Sequence, residues 1–515
     1  MINSDKQTSN FVRSNIALIF VVLLLGIILH LVGINQPFLG NFAQHQTDYA
    51  TVVQRWLETG IDPFRPAMRF LERGEPRYFL GDLPLTMTLT ALICKIGYLP
   101  IEVVGRGLSA VFFFLSLLPF YGLLKRVFRE SVYIWWTLFF YGFSPLIIVY
   151  SQAFLLEVPA VALGICGYYC VLRGIYDQSK RSMVLSGLCF GLMLSLRIYY
   201  APLLVPIAFL LIKKIGWNVL GRGDIFLGFI LMISIPISWQ AYAYYFGQAQ
   251  GVESSLQDNV RYFVLDDPIM KDQLKDPNYF LPMWHFILNK IVSPLGFFLA
   301  VIGCWGLFGK NRKIIGFILF VIASFAGIIL AAPRKFIEFD YYFIPLVPFA
   351  AVLAATAVQG IYALAPSFRK FLTISILLFN AMLACRFSIS PLLIIPAEDR
   401  YVLEAAEMVR SLVPERSKVV TRHGSSTSFL YYTNRDGWTL SPRSEERNLV
   451  RKFYDKEATP IAQLEKYRSQ GADYFALADK SQISSVPEFY EYLAQNYERI
   501  DQSEHSLVYL LKKSS

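Results

Sequence analysis

The chain has 515 residues, of which 55% are apolar, 16% aromatic and only 17% charged. So large an apolar share excludes an ordinary soluble enzyme and a disordered chain, and predicts a protein solvated mostly by lipid. The net charge of +10 is concentrated in short loops between apolar blocks, which makes it a signal of membrane topology and excludes nucleic acid as the partner.

In chain order, the first apolar block runs from Ile16 to Ile34 without an acidic or basic residue, about one bilayer thickness. It follows the polar stretch Met1 to Arg13, carries no small-residue cleavage site and exceeds the length of a secretory core, so it reads as a retained helix. Residues 36–105 form a long loop. Further blocks fall at 106–124, 132–150, 156–172, 182–195, 199–212, 225–246, 293–309, 314–332, 341–362 and 371–388, making about eleven spans. Alternate loops carry Lys125, Arg126 and Arg129; Arg173, Lys180 and Arg181; Lys213, Lys214 and Arg222; Lys310, Arg312 and Lys313; and Arg369 and Lys370. Basic residues stay cytoplasmic, which places these loops and the N-terminus inside. The segment Leu83 to Tyr98 is short, starts at Pro84 and contains Lys95; it reads as a re-entrant or surface-lying helix. Residues 36–105 and everything after about Ile389 then lie outside.

From Glu398 the sequence becomes charged and alternates short apolar strands (Lys418 to Thr421, Tyr474 to Leu477, Ser506 to Leu511) with amphipathic helices near 399–413, 460–470 and 486–497. The expected architecture is an all-α polytopic bundle over residues 1–390, with a small α/β domain outside the membrane over residues 391–515. The six cysteines, Cys94, Cys166, Cys170, Cys189, Cys304 and Cys385, lie in or beside apolar helices. They read as buried small residues, and the spacing of Cys166 and Cys170 makes no metal site by itself.

Polar residues that apolar helices must position carry the chemistry of a membrane protein. Here they gather on the outside. The first loop opens with Gln44-His45-Gln46-Thr47-Asp48-Tyr49-Ala50 and is too long for a simple connector. Asp48 reads either as a catalytic carboxylate or as a helix-start acid favoured by the dipole. Glu157 lies at an apolar helix start, as a functional acid or a snorkelling one. Arg197 interrupts the apolar run Leu194 to Tyr200, and Arg334 and Lys335 precede Glu338 and Asp340 in a short outside loop. Cations on that side favour a specific anionic ligand. Together these residues would line the outer mouth of a bundle and suit a lipid-linked phosphate, with guanidinium groups on the phosphate and a carboxylate deprotonating an acceptor hydroxyl. His45, with no second His or Cys nearby, reads as an orienting hydrogen-bonder rather than a metal ligand. His30, His285, His423 and His505 are scattered and receive no role.

The run His45-Gln46-Thr47-Asp48-Tyr49-Ala50, continuing through Val52, Arg55 and Trp56 to Gly60 with Pro63 and Pro66 after it, resembles the first-loop signature of GT-C glycosyltransferases. These multi-spanning enzymes include protein O-mannosyltransferases and the aminoarabinose transferase of lipid A. Further resemblances follow in order: Gly81-Asp82-Leu83-Pro84-Leu85 to the step opening the re-entrant helix, Arg106 in Gly105 to Ser109 to the Arg starting the second span, Ser144-Pro145 through Glu157 to the second loop, and Asp340-Tyr341-Tyr342 with Pro345 and Pro348 to the late His-Asp-Tyr-Tyr segment. Phe339 stands where that segment carries His. The resemblance implies inverting transfer of a sugar, hexosyl or pentosyl, from a polyprenyl-phosphate carrier to a hydroxyl acceptor on a glycan, lipid or protein outside a bacterial inner membrane. It implies Asp48 as general base, Glu157 as a second acid, Arg197, Arg334, Lys335 and Arg106 on the donor phosphate, and His45, Gln46, Asp82, Asp340 and Tyr341 as acceptor-binding or orienting residues. No cofactor is implied with certainty, and a divalent metal is left open. The alternatives are a transporter or flippase of lipid-linked saccharides, for which no internal repeat is visible, and a non-catalytic binder of the carrier lipid.

Overall fold

The computed structural model describes residues 16–40, 43–128, 130–251, 275–308, 312–422, 427–440 and 459–512. Met1 to Arg13, Arg129, Lys310 and His423 lie outside them. The chain packs as two compact units: Met1–Ile34 with Leu80–Leu83 and Arg106–Ser390, and Asn35–Phe79 with Pro84–Gly105 and Pro391–Ser515.

The first unit is helical. Among the described residues, seven helices are long and apolar enough to cross a bilayer: Ile101–Val127, Glu157–Tyr176, Ile198–Ile215, Gly223–Gln250, Arg312–Ala331, Asp340–Leu364 and Pro366–Leu393. An eighth crossing results if Pro277–Asn289 and Ser293–Gly306, bent by 85° at their junction, count as one. This is a multi-pass membrane architecture, with fewer full-length helices than the apolar blocks imply. The block 132–150 divides into Ser131–Gly142 and Pro145–Tyr150. The break is chemical: Pro145 takes the first helical position and the Ser144 hydroxyl accepts from the Ile147 N–H at 3.3 Å, so a new helix starts there. Helix Lys180–Leu196 has 17 residues, just under one bilayer thickness.

Between Tyr150 and Glu157 the backbone leaves the helix while Ser151 to Leu156 all stay buried. Irregular backbone in apolar surroundings needs internal partners, and side chains from other segments supply them. Arg106 Nη1 donates to the Gln152 carbonyl, and Ser109 Oγ to the Ala153 carbonyl at 2.7 Å. The Gln152 amide binds the Leu29 carbonyl at 2.6 Å and accepts from the Gly33 N–H at 2.5 Å. The His30 ring bridges Ser151 Oγ, 2.6 Å, and the Gly142 carbonyl, 2.9 Å. The run therefore reaches Glu157 in one defined path. Helix Lys180–Leu196, which ends at Arg197, packs backbone to backbone on Gly223–Gln250. A Cβ on Gly187 would stand 2.0 Å from the Gly228 carbonyl oxygen, so only glycine allows that approach.

The second unit is built on a seven-stranded sheet. Its strands are β1 (Ala67–Glu72), β2 (Glu75–Tyr78), β3 (Val419–Arg422), β4 (Gly437–Thr439), β5 (Tyr474–Leu477), β6 (Glu498–Gln502) and β7 (Leu507–Leu510), in the order β2-β1-β4-β3-β5-β7-β6. Strands β4, β3 and β5 are parallel, with Val419 beside both Gly437 and Tyr474; β7 pairs antiparallel with β5, with Phe475 opposite Tyr509. Alternation sorts the side chains between two cores. Val420, Phe475, Leu477 and Tyr509 join Phe489 and Leu493 on one face; Val419, Ala476 and Val508 join Phe429, Ala405 and Val409 on the other. Helices cover both faces. The tail reading thus extends: the sheet also includes the β1–β2 hairpin of the first long loop, turned at Arg73 and Gly74 with positive φ, and β1 lies parallel to β4 with Phe70 beside Gly437.

Candidate active site

In the first unit Arg197 is the hub. It sits in extended conformation just past the helix Lys180–Leu196, so its side chain leaves the helical ladder toward two acids. Nε and Nη2 both reach Glu157 Oε1, at 2.7 and 2.6 Å, and Nη1 reaches Asp82. Glu157 is 1% exposed. Its second oxygen, Oε2, and the nearby Tyr200 hydroxyl are buried and make no hydrogen bond among the described residues. Burial pushes the Asp82 carboxyl above its ordinary range, against the pull of Arg197 and Lys335. Lys335, buried on the short helix Pro333–Glu338, is hydrogen-bonded to the Tyr199 hydroxyl and stands 4.0 Å from the centre of that ring. Two basic and two acidic side chains thus share one cluster, and their formal charges balance.

Asp340 belongs to a neighbouring set. Lys290 Nζ contacts its Oδ2 at 2.6 Å and the Tyr150 hydroxyl donates to its Oδ1. Tyr341 stacks on Phe339 at 5.2 Å. Arg334 pairs at 2.6 Å with Glu338 one turn on, and Arg106 is buried against the Gln152 carbonyl. Among the cations expected on a phosphate, then, Arg197 and Lys335 share the acid cluster, while Arg334 pairs with Glu338 and Arg106 binds the Gln152 carbonyl.

Asp48 lies in the second unit, in the helix Ala43–Thr59, with Gln46 buried and His45 half-buried one turn away. Asp48 is 9% exposed. Its Oδ1 accepts from the Thr427 hydroxyl at 2.7 Å. Burial lifts this carboxyl to about 6, while the Thr427 hydrogen bond and the charge of Arg77 hold it from rising further. Thr427 and Lys290 escape sequence reasoning. Lys290 carries the signal that singled out Arg197, a cation set beside apolar segments; Thr427 carries none. Among the described residues no three His, Cys, Asp or Glu side chains are grouped to hold a metal ion.

No family model matches the chain, and no curated protein matches it in sequence. Among solved structures it is similar to ArnT from Cupriavidus metallidurans bound to undecaprenyl phosphate, with a TM-score of 0.61 and 13% identity over 97% of this chain and 98% of that one. The same ArnT in the apo state gives a TM-score of 0.60 at 13% identity, covering 96% and 98% of the two chains. An oligosaccharyltransferase of Archaeoglobus fulgidus, solved in complex with Zn and sulfate, gives 0.55 at 12% identity, covering 95% and 72%. The arabinofuranosyltransferase AftD from Mycobacteria gives 0.54 at 12% identity, covering 96% and 41%. All are GT-C superfamily members, and what this chain shares with them is the GT-C fold.

Proposed function

We propose that the chain is an inverting glycosyltransferase that moves a sugar from a polyprenyl-phosphate carrier to a hydroxyl acceptor. The observation that carries this reading is Asp48: a buried carboxylate, lifted to about 6, in a fold shared with glycosyltransferases, one of them solved with undecaprenyl phosphate. A base is most useful when its pKa lies near the working pH. In the proposed step Asp48 takes the acceptor hydroxyl proton as the acceptor oxygen bonds to the anomeric carbon. The bond from that carbon to the phosphate oxygen breaks, and its electron pair leaves with the phosphate. In the first unit, the Arg197 and Lys335 cations suit an anionic group such as a phosphate, with Glu157 and Asp82 holding Arg197 in place and Arg106 fixing the run that leads to Glu157. The unpartnered Glu157 Oε2 and Tyr200 hydroxyl suit a ligand rich in hydroxyls, because buried polar atoms call for hydrogen bonds.

In the same proposal the shorter helices Ile16–Leu29, Ser131–Gly142 with Pro145–Tyr150, and Lys180–Leu196, together with the bent pair, complete about eleven crossings. The N-terminus is cytoplasmic, and the polar loops and the sheet lie outside a bacterial inner membrane. The test uses the full chain in nanodiscs with a panel of undecaprenyl-phosphate hexoses and pentoses and an envelope extract as acceptor source. Wild type should release undecaprenyl phosphate from one donor, and Asp48→Asn should bind undecaprenyl phosphate normally yet lose release by about 100-fold or more. Equal release by Asp48→Asn would remove Asp48 as the base, and no release from any donor would sink the enzymatic reading.

A further inference from the structure

We infer that Thr427, which follows β3 in the C-terminal half of the second unit, is the positioning residue of the Asp48 base, fixing which carboxylate oxygen receives the acceptor proton. The inference rests on Asp48 being the base. A threonine hydroxyl has one proton to give. Its oxygen stands 2.7 Å from Asp48 Oδ1, which it serves as donor, and 2.9 Å from the Thr47 hydroxyl. The Thr47 proton is turned to the Ala43 carbonyl at 2.8 Å, so the Thr427 proton meets two acceptors, and the carboxylate Oδ1, nearer and charged, takes it. Among the described residues no hydrogen bond is made to Oδ2. That oxygen is left as the proton acceptor, with its lone pair held in one direction because Asp48 cannot rotate without breaking the Thr427 bond.

Thr427 is the hydrogen-bond donor to the Asp48 carboxylate among the described residues. Thr427 and Asp48 are both buried, at 8% and 9% exposure. Among charged groups Arg77, on β2, acts on Asp48. Arg69 of β1 is turned to Glu58 and Asp436. The other ionisable groups on elements packed against this helix are Glu72 of β1, Cys94 and Lys95 of Leu85–Gly97 and Tyr431 and Tyr432 of Ser428–Thr433, with His45, Tyr49, Arg55 and Glu58 on the helix itself. The first loop thus brings the carboxylate, and a residue 379 positions later orients it.

The test is an infrared pH titration of the full chain in nanodiscs, the Asp48 carboxyl band being assigned by its loss in Asp48→Asn. A donor to the ionised carboxylate favours that form, so Thr427→Val should move the midpoint upward from about 6 by about one pH unit. Thr427→Ser, which keeps the hydroxyl, should restore it. The acidic limb of donor turnover should move with the band, with KM for the undecaprenyl-phosphate sugar unchanged. If Thr427→Val does not fold, Thr427→Ala takes its place. An unmoved midpoint in the folded variant, or a Ser variant shifted as far as Val, would overturn the inference alone; full turnover by Asp48→Asn would overturn the assignment of the base beneath it.

Discussion

Arg197 must satisfy two carboxylates in surroundings that offer little water, and its geometry explains why no other side chain would serve. A guanidinium presents donors along two edges, so one edge can serve Glu157 while Nη1 serves Asp82; an ammonium is a point charge without that fork. Removing one partner of a buried set leaves uncompensated charge, so Arg197→Ala should cost about 3–5 kcal/mol, read as a fall in thermal midpoint in detergent. Adding Glu157→Gln should recover part of that loss, and a double variant no more stable than the single would show that the two residues are not coupled. Asp48 makes a separate prediction through pH. Burial raises its pKa from 3.8 to about 6, so the folded chain keeps this proton to higher pH than the unfolded chain. The resulting stabilisation is complete below the unfolded value and is lost as pH rises through about 6, by at most about 3 kcal/mol. Asp48→Asn should flatten that segment of the stability curve; an unchanged slope would mean that the carboxyl titrates normally.

At the scale of elements, two close approaches decide where functional side chains stand. The first is the Gly187–Gly228 contact. Gly187→Val would force the helix carrying Arg197 away from its neighbour, and overpacking of this kind costs about 1–3 kcal/mol. Transfer should fall along with stability, whereas Gly142→Ala, with open space around its Cβ position, should be nearly silent in both. The second is the joining of the β1–β2 hairpin to β4. Asp436 binds Arg55 through two oxygens at 2.9 and 3.1 Å and Arg69 at 3.3 Å. Asp436→Ala should speed hydrogen exchange in β1 and β2 while leaving β5 and β7 protected; uniform exchange across the sheet would refute a local role. The hairpin leaves little trace in the sequence because its run Ala67–Glu72 includes Arg69 and Glu72, and the middle four residues are all buried. Neither alternation nor an apolar run announces it. Its partner strand lies hundreds of residues away, and pairing at that range has no local signal.

For the whole molecule, the apolar blocks were readable because lipid leaves a chain few options. A segment crossing hydrocarbon must satisfy its own backbone and present apolar side chains, so composition alone marks it. The block edges agree with the helices to within a few residues over Glu157–Tyr176, Gly223–Gln250 and Arg312–Ala331. The break from Ser151 to Leu156 was not readable, because it depends on polar partners from Leu29, His30, Gly33, Arg106 and Ser109. The second unit shows the same dependence at larger scale: deleting residues after Pro396 removes β3 to β7 and takes away both the β4 neighbour of β1 and the hydroxyl on Asp48. Such a truncation should lose the folded first loop, seen as protease cleavage between Asn35 and Phe79 that the full chain resists.

The sequence by itself determined that this is a multi-pass membrane protein, which residues are polar against an apolar background, and the GT-C resemblance, since each depends on composition and order along the chain. Only the tertiary structure decided that Arg197 is divided between Asp82 and Glu157, that Lys290 pairs with Asp340, and that Thr427 donates to Asp48. Charge and hydrogen-bond partners act over a few ångströms, and a linear chain carries no record of which distant residues folding will bring that close.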